Sequence, residues 1–154
     1  MNIFVLDYNI KKCARYHCDK HVVKMILESA QMLSAAVRLN GVNQGYAITH
    51  KNHPCSKWAR ESISNWKWLR KLASELNREY KFRFERKNNH KSYDLIQELA
   101  IPKIKDKGLT SFALAMPEKY KHNDPIISYR SFYLGEKRNL FKWTKRKIPA
   151  WVSY

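Results

Sequence analysis

Residues 13–41, CARYHCDKHVVKMILESAQMLSAAVRLNG, decide the fold expected of this chain. Apolar residues recur through this stretch at helical spacing, which predicts a long helix with one side on a hydrophobic core. Asp19 is a plausible N-cap for that helix, and Asn40 followed by Gly41 is a good stop. The side chains expected to face the core are Val22, Val23, Ile26, Leu27, Ala30, Leu33 and Val37.

Titratable side chains are dense on the other side of this helix and just before it. His17, His21 and Glu28 occur here with Asp19 and Lys24, which is enough chemistry for proton transfer. A purely structural interpretation is also open, because Lys24 and Glu28 are spaced as an i,i+4 surface ion pair. The density of these groups favours catalysis or ligand binding.

The rest of the chain predicts further helices joined by loops. Asn9 could cap a short helix that runs through Tyr16. A second long helix is expected over residues 56–84, with a break near 62–64, and a shorter one from His90 ends before Pro102. Residues 124–125, Asp-Pro, are typical of the cap and first turn of a last helix. Residues 2–7, NIFVLD, are either a short strand or an extended segment packed on the core.

These elements predict a mainly α fold. We expect one compact helical domain over residues 1–154, with two long core helices and a possible short N-terminal strand. The length suits a single domain with a real core. Residues 41–55, GVNQGYAITHKNHPC, are expected to form an ordered loop. His50 and His53 in this loop are further catalytic candidates, facing the 19–28 helix across a polar cleft.

The charge balance points to a polyanionic partner. Thirty Lys and Arg residues oppose thirteen Asp and Glu residues, giving a formal net charge of +17. Self-repulsion on this scale costs stability, so DNA, with RNA as the alternative, is the first partner predicted, ahead of an acidic membrane surface. The 137–151 tail and the outer face of the second long helix combine basic and aromatic side chains. The predicted nucleic-acid contacts are Lys20, Lys24, Arg60, Lys142, Lys145 and Arg146.

Cysteine usage and hydropathy predict a cytoplasmic protein, without a membrane partner. The three cysteines, Cys13, Cys18 and Cys55, do not form a secreted disulfide pattern. No apolar run approaches the length of a membrane span. Cysteine and histidine near residues 13–21 and 50–55 are zinc-type ligands, but their spacing matches no known finger or ribbon. No metal or other cofactor is therefore predicted.

Two resemblances extend these inferences. The segments MNIFVLD, CARYHCDKHVVKMILESAQMLS, THKNHPCSKWARES, LTSFALAMPEKY and KWTKRKIPAW resemble a family of small basic phage-borne proteins over nearly the whole chain. That resemblance implies that the protein acts during phage infection, in the cytoplasm of the host. It does not indicate which activity the protein has. The early helix with a histidine followed by a carboxylate, and the later His-x-x-x-x-Trp stretch before a helix ending NREYKFRF, resemble more distantly the pyrimidine-dimer DNA glycosylase and AP lyase family.

The second resemblance implies residue roles. Members of that family use a carboxylate on an early helix and an N-terminal α-amine that attacks the sugar. By position Glu28 would be the carboxylate, and Arg60 or Lys24 a phosphate or base contact. Asn2 is too large for efficient removal of Met1, which departs from the family pattern. A water activated by Glu28 or a histidine, or a lysine such as Lys24, would then serve instead.

The leading hypothesis is a phage DNA-processing enzyme, specifically a base-excising glycosylase or lyase that acts on a flipped or modified base. Its candidate catalytic residues are Glu28, His17, His21, His50 and His53. One alternative is a metal-dependent nuclease. The other is a non-catalytic protein that binds nucleic acid or sequesters a nucleotide against a host defence.

Overall fold

The computed structural model describes residues 1–152, and this part of the chain contains α-helices and two short 3₁₀ turns but no β-strand. The mainly α prediction is therefore confirmed. The single-domain prediction extends to residues 153 and 154, which lie outside the described residues. The helices are α1 (Ile10–Tyr16), α2 (Asp19–Leu39), α3 (Pro54–Glu61), α4 (Ile63–Arg83), α5 (Lys91–Glu98) and α6 (Pro125–Glu136).

The two long helices, α2 and α4, pack against each other along the core. Trp66 of α4 is fully buried, and its indole N–H donates to the carbonyl of Leu33 in α2 (3.2 Å). The predicted break in the second helical region occurs at Ser62, whose extended backbone separates α3 from α4. The Ser62 hydroxyl accepts a hydrogen bond from the Lys107 amide (2.9 Å), which holds this corner.

The N-terminal segment is extended and buried but does not pair as a strand, so of the two alternatives the packed segment is correct. The amides of Asn2, Ile3 and Leu6 donate to side chains instead of to a neighbouring strand. The Ile3 amide donates to the Asn2 side chain (2.8 Å), and the Leu6 amide donates to Cys13 Sγ (3.4 Å). Residues 3–6 contribute directly to the hydrophobic core.

This segment changes which face of α2 is buried. Val23 and Leu27, predicted to face the core, are each 37% exposed, whereas His21 and Glu28 are only 4% and 7% exposed. The prediction was wrong here because the N-terminal segment covers the polar side of the helix. Asp19 is also not the N-cap, since Cys18 occupies that position and Asp19 begins the helix.

Candidate active site

Glu28 lies beside the amino terminus of the chain. Its Oε1 accepts a hydrogen bond from the Asn2 backbone N–H (2.9 Å) and lies 3.3 Å from the α-amine of Met1. Lys24, one helical turn earlier on α2, places Nζ 3.9 Å from Oε2 of the same carboxylate. A largely buried carboxylate is therefore paired with a primary amine, and a second amine is close by.

The Asn2 side chain holds the first residues in this position. Its amide nitrogen donates to the Ala115 carbonyl (2.9 Å). Its amide oxygen lies 3.1 Å from the Tyr129 hydroxyl and accepts from Cys55 Sγ (3.6 Å). Because these partners come from three separate parts of the chain, the position of the terminus depends on the assembled fold.

A cavity of about 230 Å³ opens beside the Met1 and Glu28 pair. One wall comes from α2, and the opposite wall comes from α6 and the residue that follows it. His21 stacks on Phe4 with ring centroids 4.5 Å apart, and its Nδ1 lies 2.6 Å from the Tyr133 hydroxyl. The lining residues are Met1, Asn2, Phe4, His21, Lys24, Met25, Glu28, Phe132 and Lys137.

The charges around this cavity favour an anionic ligand. Lys24, Lys137 and the α-amine are positive. Among the described residues that line the cavity, Glu28 is the one acidic residue. Burial is the main cause that lowers the pKa of His21 to about 3, with the charges of His17, Lys137 and Lys24 acting in the same direction. His21 is therefore neutral at pH 7 and adds no positive charge.

His53, from the second histidine cluster, is not among the residues that line this cavity. His53 is the N-cap of α3, and its Nδ1 accepts from the Cys55 amide (3.1 Å), so the neutral ring carries its hydrogen on Nε2. Burial lowers the pKa of His53, as do the charges of the α-amine and His50, while Glu28 opposes them. His53 is close enough to the α-amine and to Glu28 for their charges to act on its pKa, and its catalytic role stays a prediction.

The other two catalytic candidates lie elsewhere. His50 is exposed at a positive φ of 49°, and its Nδ1 lies 2.8 Å from the Thr49 hydroxyl. His17 is completely buried, with Nδ1 2.7 Å from the Cys13 carbonyl, and it does not line the cavity. Burial lowers the pKa of His17 to about 4. Catalytic roles for these two residues stay predictions.

The side chains of four of the six predicted nucleic-acid contacts have a polar partner within the protein, and one of these is Lys24 with Glu28. Arg60 donates to the Lys51 carbonyl (2.6 Å), which stabilises the loop that contains His50 and His53. Arg146 pairs with the buried Glu79 (2.8 Å), and Lys145 pairs with Glu85 (2.9 Å). Lys24 lies at the cavity, and Lys20 and Lys142 are exposed. Any contact of these six with nucleic acid stays a prediction.

Neither a candidate metal site nor a candidate membrane span is found among the described residues. Between residues 1 and 152, no group of three or more His, Cys, Asp or Glu side chains is placed to hold a metal ion. Within the same residues, no helix is both long enough and apolar enough to cross a membrane. Cys13, Cys18 and Cys55 are all buried free thiols.

Sequence reasoning did not select Met1, Asn2, Phe132 or Lys137 as site residues. The resemblance to a family with a catalytic terminal amine was the signal for the first two. Phe132 and Lys137 are more than 100 positions from Glu28 in the chain, and no local pattern connects them to it. Only the packing of α6 against the N-terminal segment brings these residues to the cavity.

Folding stability should fall as the pH drops from 7 to 5, because His17 and His21 are buried as neutral rings. Their folded pKa values, about 4 and about 3, lie below the ordinary value of 6.5. The unfolded chain therefore binds protons that the folded chain does not, which costs about 1.4 kcal/mol per pH unit for each histidine. Each unfolded histidine becomes protonated below about pH 6.5, so urea unfolding should show a loss of about 4 kcal/mol between pH 7 and pH 5.

The matched variant for this measurement is His17→Gln, which cannot titrate but keeps an amide near the Cys13 carbonyl. It should show about half of the wild-type pH dependence. A free energy of unfolding that is constant from pH 7 to 5 in the wild-type protein would contradict burial of the two neutral rings.

Comparison with known proteins gives one match. The sequence model of the family described as pyrimidine dimer DNA glycosylase matches residues 1–93 of the chain. No curated protein and no solved structure matches it. The matched part contains Met1, Asn2, Lys24, Glu28 and His53, whereas the α6 wall of the cavity lies outside it.

Proposed function

Because this chain belongs to the pyrimidine dimer DNA glycosylase family, we propose that it excises a damaged or modified base from DNA. The α-amine of Met1 is the nucleophile, and Glu28 is the catalytic carboxylate. The enzyme then acts as a lyase that cleaves the strand at the resulting abasic site. The phage setting and the host cytoplasm stay predictions from sequence resemblance.

The observation that carries this proposal is the 3.3 Å distance between the Met1 α-amine and Glu28 Oε1. A protonated amine has no lone pair with which to attack carbon. A carboxylate in contact with it can accept the proton and release the nucleophile. The pair borders a cavity with excess positive charge, which suits a nucleotide and its phosphates.

The first stage of the reaction exchanges one bond at the sugar for another. The amine nitrogen forms a bond to C1′ while the bond from C1′ to the base breaks, and the base leaves with the electron pair and takes up a proton. The amine nitrogen loses its protons to Glu28, which passes them on to the leaving base and then to O4′. Opening of the C1′–O4′ bond then gives an imine between Met1 and C1′, with a proton added to O4′.

The second stage is elimination. Removal of a proton from C2′ pushes electrons toward C3′, and the C3′–O3′ bond breaks so that the 3′ phosphate leaves with its strand. Glu28 is placed to move this proton, since it already contacts the nitrogen that becomes the imine. Water then hydrolyses the imine and restores the amine.

Lys24 and Lys137 serve as phosphate contacts in this proposal. Both line the cavity, and neither lies between Met1 and Glu28. Lys24 Nζ is 3.9 Å from the Glu28 carboxylate. Lysine binds a phosphate as a point charge. Phe132 lies in the same wall, and its ring holds the Lys137 ammonium at 5.2 Å, which places that charge at the cavity.

The direct test incubates the purified protein with duplex oligonucleotides that each carry one defined lesion. The panel includes a pyrimidine dimer, uracil, an oxidised base, an abasic site and an undamaged control. Release of a free base together with a strand break at the same position supports the proposal. Tight, salt-sensitive binding without a product from any duplex would support the non-catalytic alternative instead.

A further inference from the structure

A second basic surface follows the boundary between α4 and α5. Two cavities lie along it, of about 540 Å³ and about 640 Å³. The first is lined by Lys67, Arg70 and Lys71 of α4 and by Tyr93 of α5. We call the two cavities together the α4–α5 channel. The cations that line the second are Arg86, Lys87 and Lys91.

The two cavities lie one after the other along α4. The first cavity is lined by Lys67, Lys71 and Ser74, and the second by Tyr80 of the same helix. Successive residues of this set are four, three and six positions apart, and Asn77 lies between the last two. The Asn77 side-chain oxygen accepts from the His90 amide (2.9 Å), which ties the residues just before α5 to α4 between the two cavities. From residue 67 to residue 80 the helix rises about 20 Å.

This channel is separate from the Glu28 site. No residue that lines either of its cavities also lines the cavity beside Met1 and Glu28. The α4 residues that face α2 are a different set, represented by Trp66 with its bond to the Leu33 carbonyl. The channel therefore presents an independent surface.

Cations outnumber acidic residues in the lining of both cavities. Glu85 lines the second cavity, but Lys145 neutralises it at 2.9 Å. Arg70 lies over the Trp66 ring at 5.1 Å, which orients its guanidinium at the edge of the first cavity. The Tyr93 and Ser74 hydroxyls, 3.2 Å apart, add neutral hydrogen-bonding groups between the cations.

We propose that the α4–α5 channel binds the phosphate backbone of duplex DNA independently of the Glu28 cavity. One strand of a duplex presents a phosphate about every 3.4 Å of helix axis, so a channel of about 20 Å spans about six phosphates. Such contacts do not depend on the base sequence or on damage. The channel thus holds undamaged duplex, and this binding does not require excision chemistry.

The test compares two variants, each lacking four exposed positive charges, by their binding to an undamaged 30-base-pair duplex over a range of salt concentrations. Both should keep the wild-type Tm, because the replaced side chains are exposed. The channel variant carries K71Q, R86Q, K87Q and K91Q, and the matched control carries K11Q, K12Q, K103Q and K107Q.

The channel variant should bind the duplex about 10- to 100-fold more weakly than the control at 150 mM salt. Its plot of log Kd against log salt should be shallower by about 0.9 for each phosphate contact removed. Equal affinities and slopes for the two variants would overturn the proposal. The proposal would also be overturned if the channel variant lost binding to single-stranded RNA but bound the duplex as tightly as the control. Because the duplex is undamaged, these outcomes are independent of whether the protein excises bases.

Discussion

Replacing Glu28 with glutamine should lower the rate of base excision by about 10²- to 10⁴-fold. Glutamine has nearly the same shape, and its carbonyl oxygen can still accept from the Asn2 amide, so the position of the N-terminal segment should be retained. It cannot accept the proton of the Met1 α-amine, however, or move the C2′ proton during elimination. Single-turnover kinetics on the best substrate of the lesion panel would measure the effect.

Glu118→Gln is the matched control for this substitution. Glu118 forms a surface ion pair with Lys121 (2.6 Å), and its side chain is 86% exposed. This control should keep the wild-type rate, because exposed ion pairs contribute little to the fold. If the Glu28 variant also excised bases at the wild-type rate, while its Tm matched that of the wild-type protein, Glu28 would not be the catalytic carboxylate.

Borohydride added during turnover should trap the protein covalently on DNA, with the adduct on the α-amine of Met1. Reduction converts the imine between the amine and C1′ into a stable secondary amine, so mass spectrometry of the peptides can locate it. A protein with two residues added before Met1 should give only background trapping, because its amine no longer lies beside Glu28. The extended protein must also show a folded Tm for this comparison.

The residue that carries the adduct shows which of three amines is the nucleophile. An adduct on Met1 agrees with the proposal, and intact mass should then show that Met1 is retained. An adduct on the α-amine of Asn2 would show that Met1 is removed, which would place the nucleophile at the nitrogen now 2.9 Å from Glu28. An adduct on Lys24, absent in Lys24→Arg, would contradict a terminal amine as the nucleophile.

Local sequence signals predicted most of the helices correctly. The Asn9 side chain accepts from the Lys12 amide and begins α1, and Asp124 similarly accepts from the Ile126 amide at the start of α6. Residues 40 and 41 end α2 as expected, with Gly41 at a positive φ of 93°. Caps and stops depend on neighbouring residues, so they can be recognised without knowledge of the fold.

The environment of Glu28 could not be predicted in the same way. Helical periodicity placed Glu28 and His21 on the polar side of α2, and that side was expected to face the loop of His50 and His53 across a polar cleft. In the fold it is covered by the N-terminal segment, and the Asn2 side chain holds the segment there through Ala115, Tyr129 and Cys55. Periodicity shows that a helix has two faces, but it does not show what packs on each.

The sequence by itself determined the helical class, the two long core helices and the excess positive charge. These properties follow from residue types and from spacings within about 30 positions. Only the tertiary structure placed the Met1 amine against Glu28 and brought Lys137 to the same cavity. Contacts between residues more than 100 positions apart depend on how the helices pack, and no local pattern of residues encodes that packing.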